Sequence, residues 1–202
     1  MIEFSVSKAQ VTREHIIQQA AVVFNQQGYA GTSMSDIMQA TGLKKGGIYN
    51  HFKSKDDLAV AAFDFSVGLV QTHYTEALRG QRHAIVRLRT MVAAFCSLMA
   101  NPPTVKGGCP ILNTAIESDD THPTLRRQAR QAMDNWQRLL AKIITLGIKH
   151  QQVDASTDPE AVATVIISTL EGGLMMTQLY GAPDHLRHAQ QHLLDYIETL
   201  KI

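Results

Sequence analysis

Four lysines lie close together in a stretch of this chain that carries no acidic residue. From Ile37 to Lys55 the sequence contains no Asp or Glu, and its lysines are Lys44, Lys45, Lys53 and Lys55. A local run of positive charge releases counterions when it meets nucleic-acid phosphates. Gly46 and Gly47, which each cost a helix about 1 kcal/mol relative to Ala, would let the backbone approach a groove or a phosphate. The stretch therefore favours phosphate contact, although charge alone would fit a solvated basic turn equally well.

Two short helices are predicted to present these lysines. Ser33-x-x-Asp36 is a capping-box pattern that starts a helix. Gly42 ends that helix, because glycine tolerates the positive φ of a helix end. Ile48 and Phe52 then restart the apolar pattern on one side of a second short helix. A helix, a tight turn with glycine and a second helix form a helix-turn-helix, whose second helix enters the DNA major groove.

An amphipathic helix before this segment completes a three-helix head. Thr12 is the predicted N-cap, and apolar residues recur behind it with helical spacing. The inner face of this helix, together with Tyr29, is expected to pack on Ile37 and Phe52. Charge, caps, turn and apolar spacing together make a DNA-binding head the favoured interpretation.

Several short residue groups in this segment carry a family resemblance. They are Thr32-Ser33, Thr41-Gly42, Lys45-Gly46, Ile48-Tyr49, His51-Phe52 and Ser54-Lys55-x-x-Leu58. From about Thr12 to Leu58 the chain resembles the DNA-binding domain of TetR-family transcriptional repressors. The resemblance implies that Lys45 and Gly46 face bases. It also implies phosphate contacts from Thr32, Tyr49, His51 and Lys55.

Two further positions, Lys44 and Asn50, fall where members of that family vary, so they are candidates for sequence readout. The complete predicted DNA-binding set is Thr32, Ser33, Lys44, Lys45, Gly46, Gly47, Tyr49, Asn50, His51 and Lys55.

The rest of the chain has helical apolar spacing and no strand pattern, so we predict an all-α protein of about nine helices. Ser54-x-x-Asp57 is a second capping box, which opens a long helix leading out of the head. The clearest loop is 101–108, with two prolines and two glycines. The predicted domains are a DNA-binding domain at 1–53 and a larger effector-binding and dimerisation domain at 54–202.

A helix predicted from about Pro159 to Tyr180 is apolar over most of its circumference. A single small subunit cannot readily cover such a helix, and Gly172-Gly173 in its middle indicate a close helix contact. The family resemblance implies that the last two helices of each subunit pair as a four-helix bundle in a homodimer. The predicted interface residues are Val162, Ile166, Gly173, Leu174, Leu186, Leu193 and Ile197.

Methionines and aromatic residues of the larger domain are candidates to line a cavity for an unknown small-molecule effector. Most such residues are expected to be ordinary core. The predicted pocket set is Phe65, Phe95, Met99, Cys109, Met133, Trp136, Glu171 and Met175. Glu171, an acid in an apolar helix, has three open interpretations: it pairs with an arginine, lines a ligand cavity, or emerges at the bundle edge.

The two cysteines predict no disulfide framework. Cys109 follows two glycines and precedes Pro110 at a helix start, where N–H groups stabilise a thiolate and lower its pKa. The arrangement Gly108-Cys109-x-x-x-Asn113 resembles a subgroup of the TetR family that reacts with electrophiles. Cys109 is thus either a redox or electrophile sensor with an accessible sulfur or a small structural residue under a loop. Cys96, in an apolar helix, is predicted to be inert core.

Composition and motifs narrow the class of function. The net charge of +1 excludes a general polyanion binder, so nucleic-acid contact must come from a local patch. Nucleophile elbows, phosphate-cradling glycine loops and zinc-protease motifs are absent from the sequence, so we predict no enzyme, no cofactor and no metal. His185, His188 and His192 share a helix face, and this spacing can hold a metal. We interpret the face instead as a polar flank of the dimer helix. The absence of a leader or spanning segment predicts a cytoplasmic protein without membrane contact.

Three classes of function remain open to the sequence. The favoured one is a homodimeric repressor that binds a palindromic DNA operator and is released by a small-molecule, electrophile or redox signal. The second is a helical DNA-organising protein without an effector. The third is a helical enzyme or a small-molecule-binding scaffold, which would bind no specific duplex.

Overall fold

The computed structural model describes residues 7–100 and 106–202, and these residues form nine α-helices and no strand. The helices are α1 (Lys8–Gln27), α2 (Met34–Thr41), α3 (Lys45–Tyr49), α4 (Lys55–Ala77), α5 (Ala84–Ala100), α6 (Pro110–Ser118), α7 (Pro123–Lys149), α8 (Pro159–Tyr180) and α9 (Asp184–Glu198). The prediction of an all-α protein is confirmed. The first five residues of the predicted loop 101–108 lie outside the described residues.

The first helix begins earlier than its sequence pattern predicted. Ser7 is the N-cap of α1, and its hydroxyl oxygen accepts a hydrogen bond from the backbone N–H of Gln10 at 3.2 Å. The hydroxyl of Thr12 donates to the carbonyl of Lys8 at 2.9 Å, inside the helix. The prediction of Thr12 as the cap was therefore wrong, because an earlier serine satisfies the helix start.

The described chain divides into two compact units. The first contains residues 7–68 and 106–126, and the second contains residues 69–100 and 127–202. The division falls inside α4, after Gly68, and inside α7, after Arg126. The unit with the helix-turn-helix also contains the first part of α4 and the whole of α6, and the predicted boundary after residue 53 stays a prediction.

The first unit is built on apolar side chains from α1 to α4. Ile16 of α1, Ile37 of α2 and Ile48 of α3 are fully buried together with Leu58 of α4. Tyr29, which was predicted to join this core, is half-buried and stacks on Phe24, with 6.1 Å between ring centroids. The shared core fixes α2 and α3 against α1.

The second unit packs α5, α8 and α9 against one another. Leu88 of α5, Ile166 of α8 and Leu193 of α9 are at most 1% exposed. A β-carbon added to Gly173 would lie only 2.6 Å from Cβ of Ala189, so α8 and α9 approach too closely for a larger residue. The close helix contact predicted from the glycine pair is confirmed at Gly173, whereas Gly172 faces open space.

The seven residues predicted at the dimer interface lie inside their own subunit. They are Val162, Ile166, Gly173, Leu174, Leu186, Leu193 and Ile197, and all of them are buried. Packing within the second unit already covers these residues, and their place in a dimer interface stays a prediction. The apolar side chains that α8 leaves exposed are Val165, Met175, Met176, Leu179 and Tyr180.

By length and composition α8 alone among the described helices could cross a bilayer. Core helices of soluble proteins meet the same criteria, and 44% of the most apolar stretch of α8 is buried within the chain. Its buried face carries Ile166 and Leu170, which are each 1% exposed. This burial is the pattern of a core helix.

Candidate nucleic-acid interface

A reciprocal capping box starts α2, as the sequence predicted. The Ser33 hydroxyl oxygen accepts the N–H of Asp36 at 3.2 Å, and the Asp36 carboxylate accepts the N–H of Ser33 at 2.7 Å. The Ser33 hydroxyl also donates to that carboxylate at 2.7 Å. These hydrogen bonds from Ser33 hold the pKa of Asp36 below its ordinary value. Gly42, with φ of 68°, ends α2 in the left-handed conformation that glycine tolerates.

The second helix of the motif, α3, is a single short turn seated by one side chain. Ile48 is 1% exposed and belongs to the core of the first unit. Lys45 on the helix and Asn50 at its C-cap are exposed, and a β-carbon at Gly46 would meet nothing within 4 Å. The helix therefore offers solvent a surface of cationic and amide side chains with bare backbone between them.

The predicted basic surface also carries aromatic rings. The Lys45 ammonium lies 5.7 Å from the ring centroid of Tyr49, whose side chain is 40% exposed. The Lys55 ammonium lies 4.3 Å from the ring centroid of Tyr29. A cation held over a ring face is attracted by the ring quadrupole. Each of the two lysines therefore has an aromatic neighbour within the predicted basic surface.

Most of the predicted DNA-binding set is accessible. The exposed members are Ser33, Lys44, Lys45, Gly46, Tyr49 and Asn50, and the half-buried ones are Gly47, His51 and Lys55. Thr32 differs, because it is 1% exposed and its hydroxyl donates to the carbonyl of Gly28 at 2.6 Å. The hydroxyl of Thr32 is therefore used inside the head, and its phosphate contact stays a prediction.

Two contacts that support the head were missed by the sequence reasoning. An imidazole nitrogen of His15 lies 3.1 Å from the carbonyl oxygen of Thr41, which ties α1 to the end of α2. The Arg13 guanidinium lies 4.9 Å from the ring centroid of Phe52. The residues of each pair are far apart in sequence, so no helical spacing could reveal the contacts.

The predicted effector-pocket residues are divided between the two units. Phe65 and Cys109 belong to the first unit, and Phe65 packs on the head core. Trp136 of the second unit stacks between Phe95, at 5.6 Å, and Tyr74, at 6.1 Å between centroids. The remaining members are Met99 and Met133, which are half-buried, Glu171, which is buried, and Met175, which is 53% exposed.

The structure shows that the two glycines before Cys109 do not expose its sulfur. Cys109 is the N-cap residue of α6, as predicted, but it is only 3% exposed. A β-carbon at Gly107 would lie 2.6 Å from the backbone oxygen of Asn25, so the glycine allows a close approach to α1. Cys96 is also buried, and burial raises the pKa of its thiol to about 11.

Comparison with known proteins agrees with this arrangement. Residues 16–62 match the family described as "Bacterial regulatory proteins, tetR family", and residues 84–193 match "Tetracyclin repressor-like, C-terminal domain". A TetR transcriptional regulator from Chloroflexus aurantiacus is 43% identical, with a TM-score of 0.92 over 96% of this chain and 98% of that one.

Two further relatives cover most of the chain. A TetR-family regulator from Cytophaga hutchinsonii is 34% identical, with a TM-score of 0.87 over 98% of each chain. The transcriptional repressor DhaR of Mycobacterium sp. (strain GP1) is 23% identical over 83% of this chain and 82% of its own length. Family matches over both parts of the chain and the 43% identical structure place the present chain in the TetR family of transcriptional regulators.

Proposed function

We propose that this regulator is a cytoplasmic homodimer that binds a palindromic operator through α3 and leaves it when a small molecule binds. The observation that carries the DNA-binding part is the exposed surface of α3, where Lys45, Gly46 and Asn50 stand on a helix fixed by Ile48. The family supplies the wider expectation, because its members regulate transcription by binding DNA. We infer that the chain acts by binding alone and performs no catalysis.

Within this proposal the lysines have different tasks. Lys45, on the solvent side of α3, contacts base edges, whereas Lys55, at the first turn of α4, contacts a phosphate. A base contact discriminates between sequences, and a phosphate contact strengthens binding to any duplex. Lys44, Tyr49, Asn50 and His51 complete the surface.

Selection of tightly bound duplexes from random DNA, followed by anisotropy titrations with the full chain, tests the proposal. Selected sites should be palindromic, with half-sites roughly one DNA turn apart. Lys45→Ala should lose about 1–3 kcal/mol on the selected site and little on random DNA. Lys55→Ala should weaken binding to both and reduce the salt slope by about 1. Lys142→Ala, an exposed lysine of the second unit, is the control and should change neither.

Equal losses for Lys45→Ala on selected and random DNA would refute its base contact. Failure to enrich any duplex would favour the scaffold alternative. A protein that binds DNA but is released by no compound in a broad metabolite screen would instead favour the DNA-organising alternative.

The effector part of the proposal rests on the aromatic stack of Tyr74, Trp136 and Phe95 and on buried Glu171 in the second unit. Aromatic faces and a buried acid within one unit suit a largely apolar compound that carries a polar or cationic group. Quenching of Trp136, the chain's single tryptophan, offers a direct binding assay. Compounds that quench it should also lower operator affinity.

A further inference from the structure

The carboxylate of Glu117, on α6, binds the backbone of the α1–α2 turn (residues 28–33). Its two oxygens accept the N–H groups of Tyr29 and Ala30, each at 2.7 Å. Gly28 precedes them with φ of 76°, and a β-carbon there would lie 2.7 Å from a carboxylate oxygen. The turn therefore presents two N–H groups that bind an anion. Gly28 leaves room for the anion beside them, and the Glu117 carboxylate occupies that room.

A second set of contacts fastens the start of α6 to the end of α1. The side-chain N–H group of Asn113 donates to the carbonyl of Gly107 at 2.8 Å and to the side-chain oxygen of Asn25 at 3.2 Å. The side-chain N–H group of Asn25 donates to the carbonyls of Lys106 and Gly108, at 2.9 and 3.0 Å. We call Asn113 and Glu117, with these partners, the α6 latch.

The turn held by the latch leads directly into the DNA-binding helices. Both the N–H and the hydroxyl of Thr32 donate to the carbonyl of Gly28, at 3.2 and 2.6 Å. The next residue, Ser33, caps α2. A displacement of residues 28–30 would therefore shift the start of α2, and α3 would follow through their shared core.

Tyr29 extends the same connection to α4. Its hydroxyl donates to the Asp56 carboxylate in the first turn of α4, next to the lysine assigned to a phosphate. Burial, followed by this acid, raises the pKa of Tyr29 to about 12, so the phenol stays a donor at physiological pH. The Tyr29 ring also meets the His122 ring edge-on at 4.7 Å.

We propose that Glu117 is a positioning residue for DNA binding: the α6 latch fixes the α1–α2 turn in the geometry that presents α3 to the major groove. Charged acceptors make stronger hydrogen bonds than neutral ones, and one carboxylate here satisfies two donors. The proposal rests on the proposed α3–operator contact, and it assigns part of that affinity to a residue more than fifty positions beyond the motif.

The test compares Glu117→Gln with the wild-type full chain, and uses Glu76→Gln, an exposed glutamate of α4, as the matched control. A glutamine offers one acceptor oxygen instead of two and no charge. Affinity for the selected duplex should fall in Glu117→Gln by at most roughly a hundredfold, the full contribution of hydrogen bonds to a charged group. Glu76→Gln should bind like wild type.

Hydrogen exchange separates positioning from general destabilisation. The Tyr29 and Ala30 amides should exchange faster in Glu117→Gln, while those of Ile16 and Ala20 stay protected. Saturating duplex should restore protection at residues 29 and 30, because coupling between DNA binding and turn order is reciprocal. A merely structural glutamate would give no restoration.

Wild-type affinity in Glu117→Gln, despite fast exchange at residues 29 and 30, would overturn the proposal, as would exchange there that bound duplex leaves unchanged. A wild-type chain that selects no duplex would instead defeat the proposed function itself. If Glu117→Gln does not fold, Glu117→Asp provides the same test with the charge retained, and its affinity should fall together with protection at the same two amides.

Discussion

Gly173 of α8 and Ala189 of α9 lie so close that a β-carbon on the glycine would sit 2.6 Å from that of the alanine. Gly173→Ala should therefore destabilise the subunit by about 1–3 kcal/mol, the usual cost of overpacking. Gly172→Ala is the matched control, because its β-carbon would meet open space within the subunit. It should stabilise by roughly 0.5–1 kcal/mol through helix propensity. Urea unfolding followed by circular dichroism measures both, and equal effects would refute the contact.

The exposed apolar residues of α8 predict the surface on which a partner subunit would pack. Leu179→Arg changes a side chain that is 73% exposed, so it should leave the fold intact and dissociate the dimer. Leu193→Arg buries an unpaired charge at a position with no exposure, so it should unfold the subunit. Light scattering and circular dichroism at micromolar concentration distinguish these results. If Leu179→Arg remains a folded dimer, the interface must lie on another surface.

The capping box of α2 should give the stability of the head a measurable dependence on pH. Since Ser33 lowers the pKa of Asp36, the cap contributes fully above the ordinary pKa of 3.8 and is lost as pH falls through the lowered value. Ser33→Ala should bring the pKa of Asp36 back toward its ordinary value in an NMR titration. Ser35→Ala, an exposed serine on the same helix, is the control. A pKa unchanged by Ser33→Ala would contradict the assigned hydrogen bonds.

Cys96 should react slowly with thiol reagents. Burial raises its pKa from 9.0 to about 11, so at pH 8 its thiolate fraction is roughly a hundredfold below that of an ordinary cysteine. The Cys109→Ser variant isolates this thiol, and its reaction with a disulfide reagent should accelerate as pH rises. Fast reaction at pH 8 would show that α5 opens locally.

The same reagent tests the sensor interpretation of Cys109, which the burial of its side chain disfavours. In the Cys96→Ser variant, the remaining thiol should react more slowly than free cysteine. Loss of operator binding when this reagent modifies Cys96→Ser, but not when it is applied to Cys109→Ser, would restore a sensor role for Cys109.

Local chemistry explains which parts of the head the sequence predicted correctly. The Ser33–Asp36 cap and the glycine at residue 42 act within a few residues of their own position, so their pattern survives in the linear sequence. The sequence also predicted which side chains around α3 are buried, because Ile48 and Phe52 lie at helical spacing. The family resemblance then added roles for individual lysines.

Contacts between distant segments were out of reach of the sequence. Glu117 binds amides 88 and 87 residues earlier in the chain, and its own helix gives no sign of this. In α8, apolar residues cover most of the circumference, so periodicity could not distinguish the side that packs on α9 from the side left exposed. The glycines before Cys109 were interpreted as leaving its sulfur accessible to solvent. Gly107 instead allows the backbone to pack closely against Asn25.

The first unit is assembled from two separate stretches of chain, and this affects the order in which it forms during synthesis. Residues 7–68 leave the ribosome well before residues 106–126, which the unit also requires. At about 5–20 residues per second, the helix-turn-helix waits roughly 3–12 seconds for α6. During that interval the amides of Tyr29 and Ala30 have no carboxylate partner. A nascent regulator should therefore gain its operator-binding geometry only after α6 has been translated.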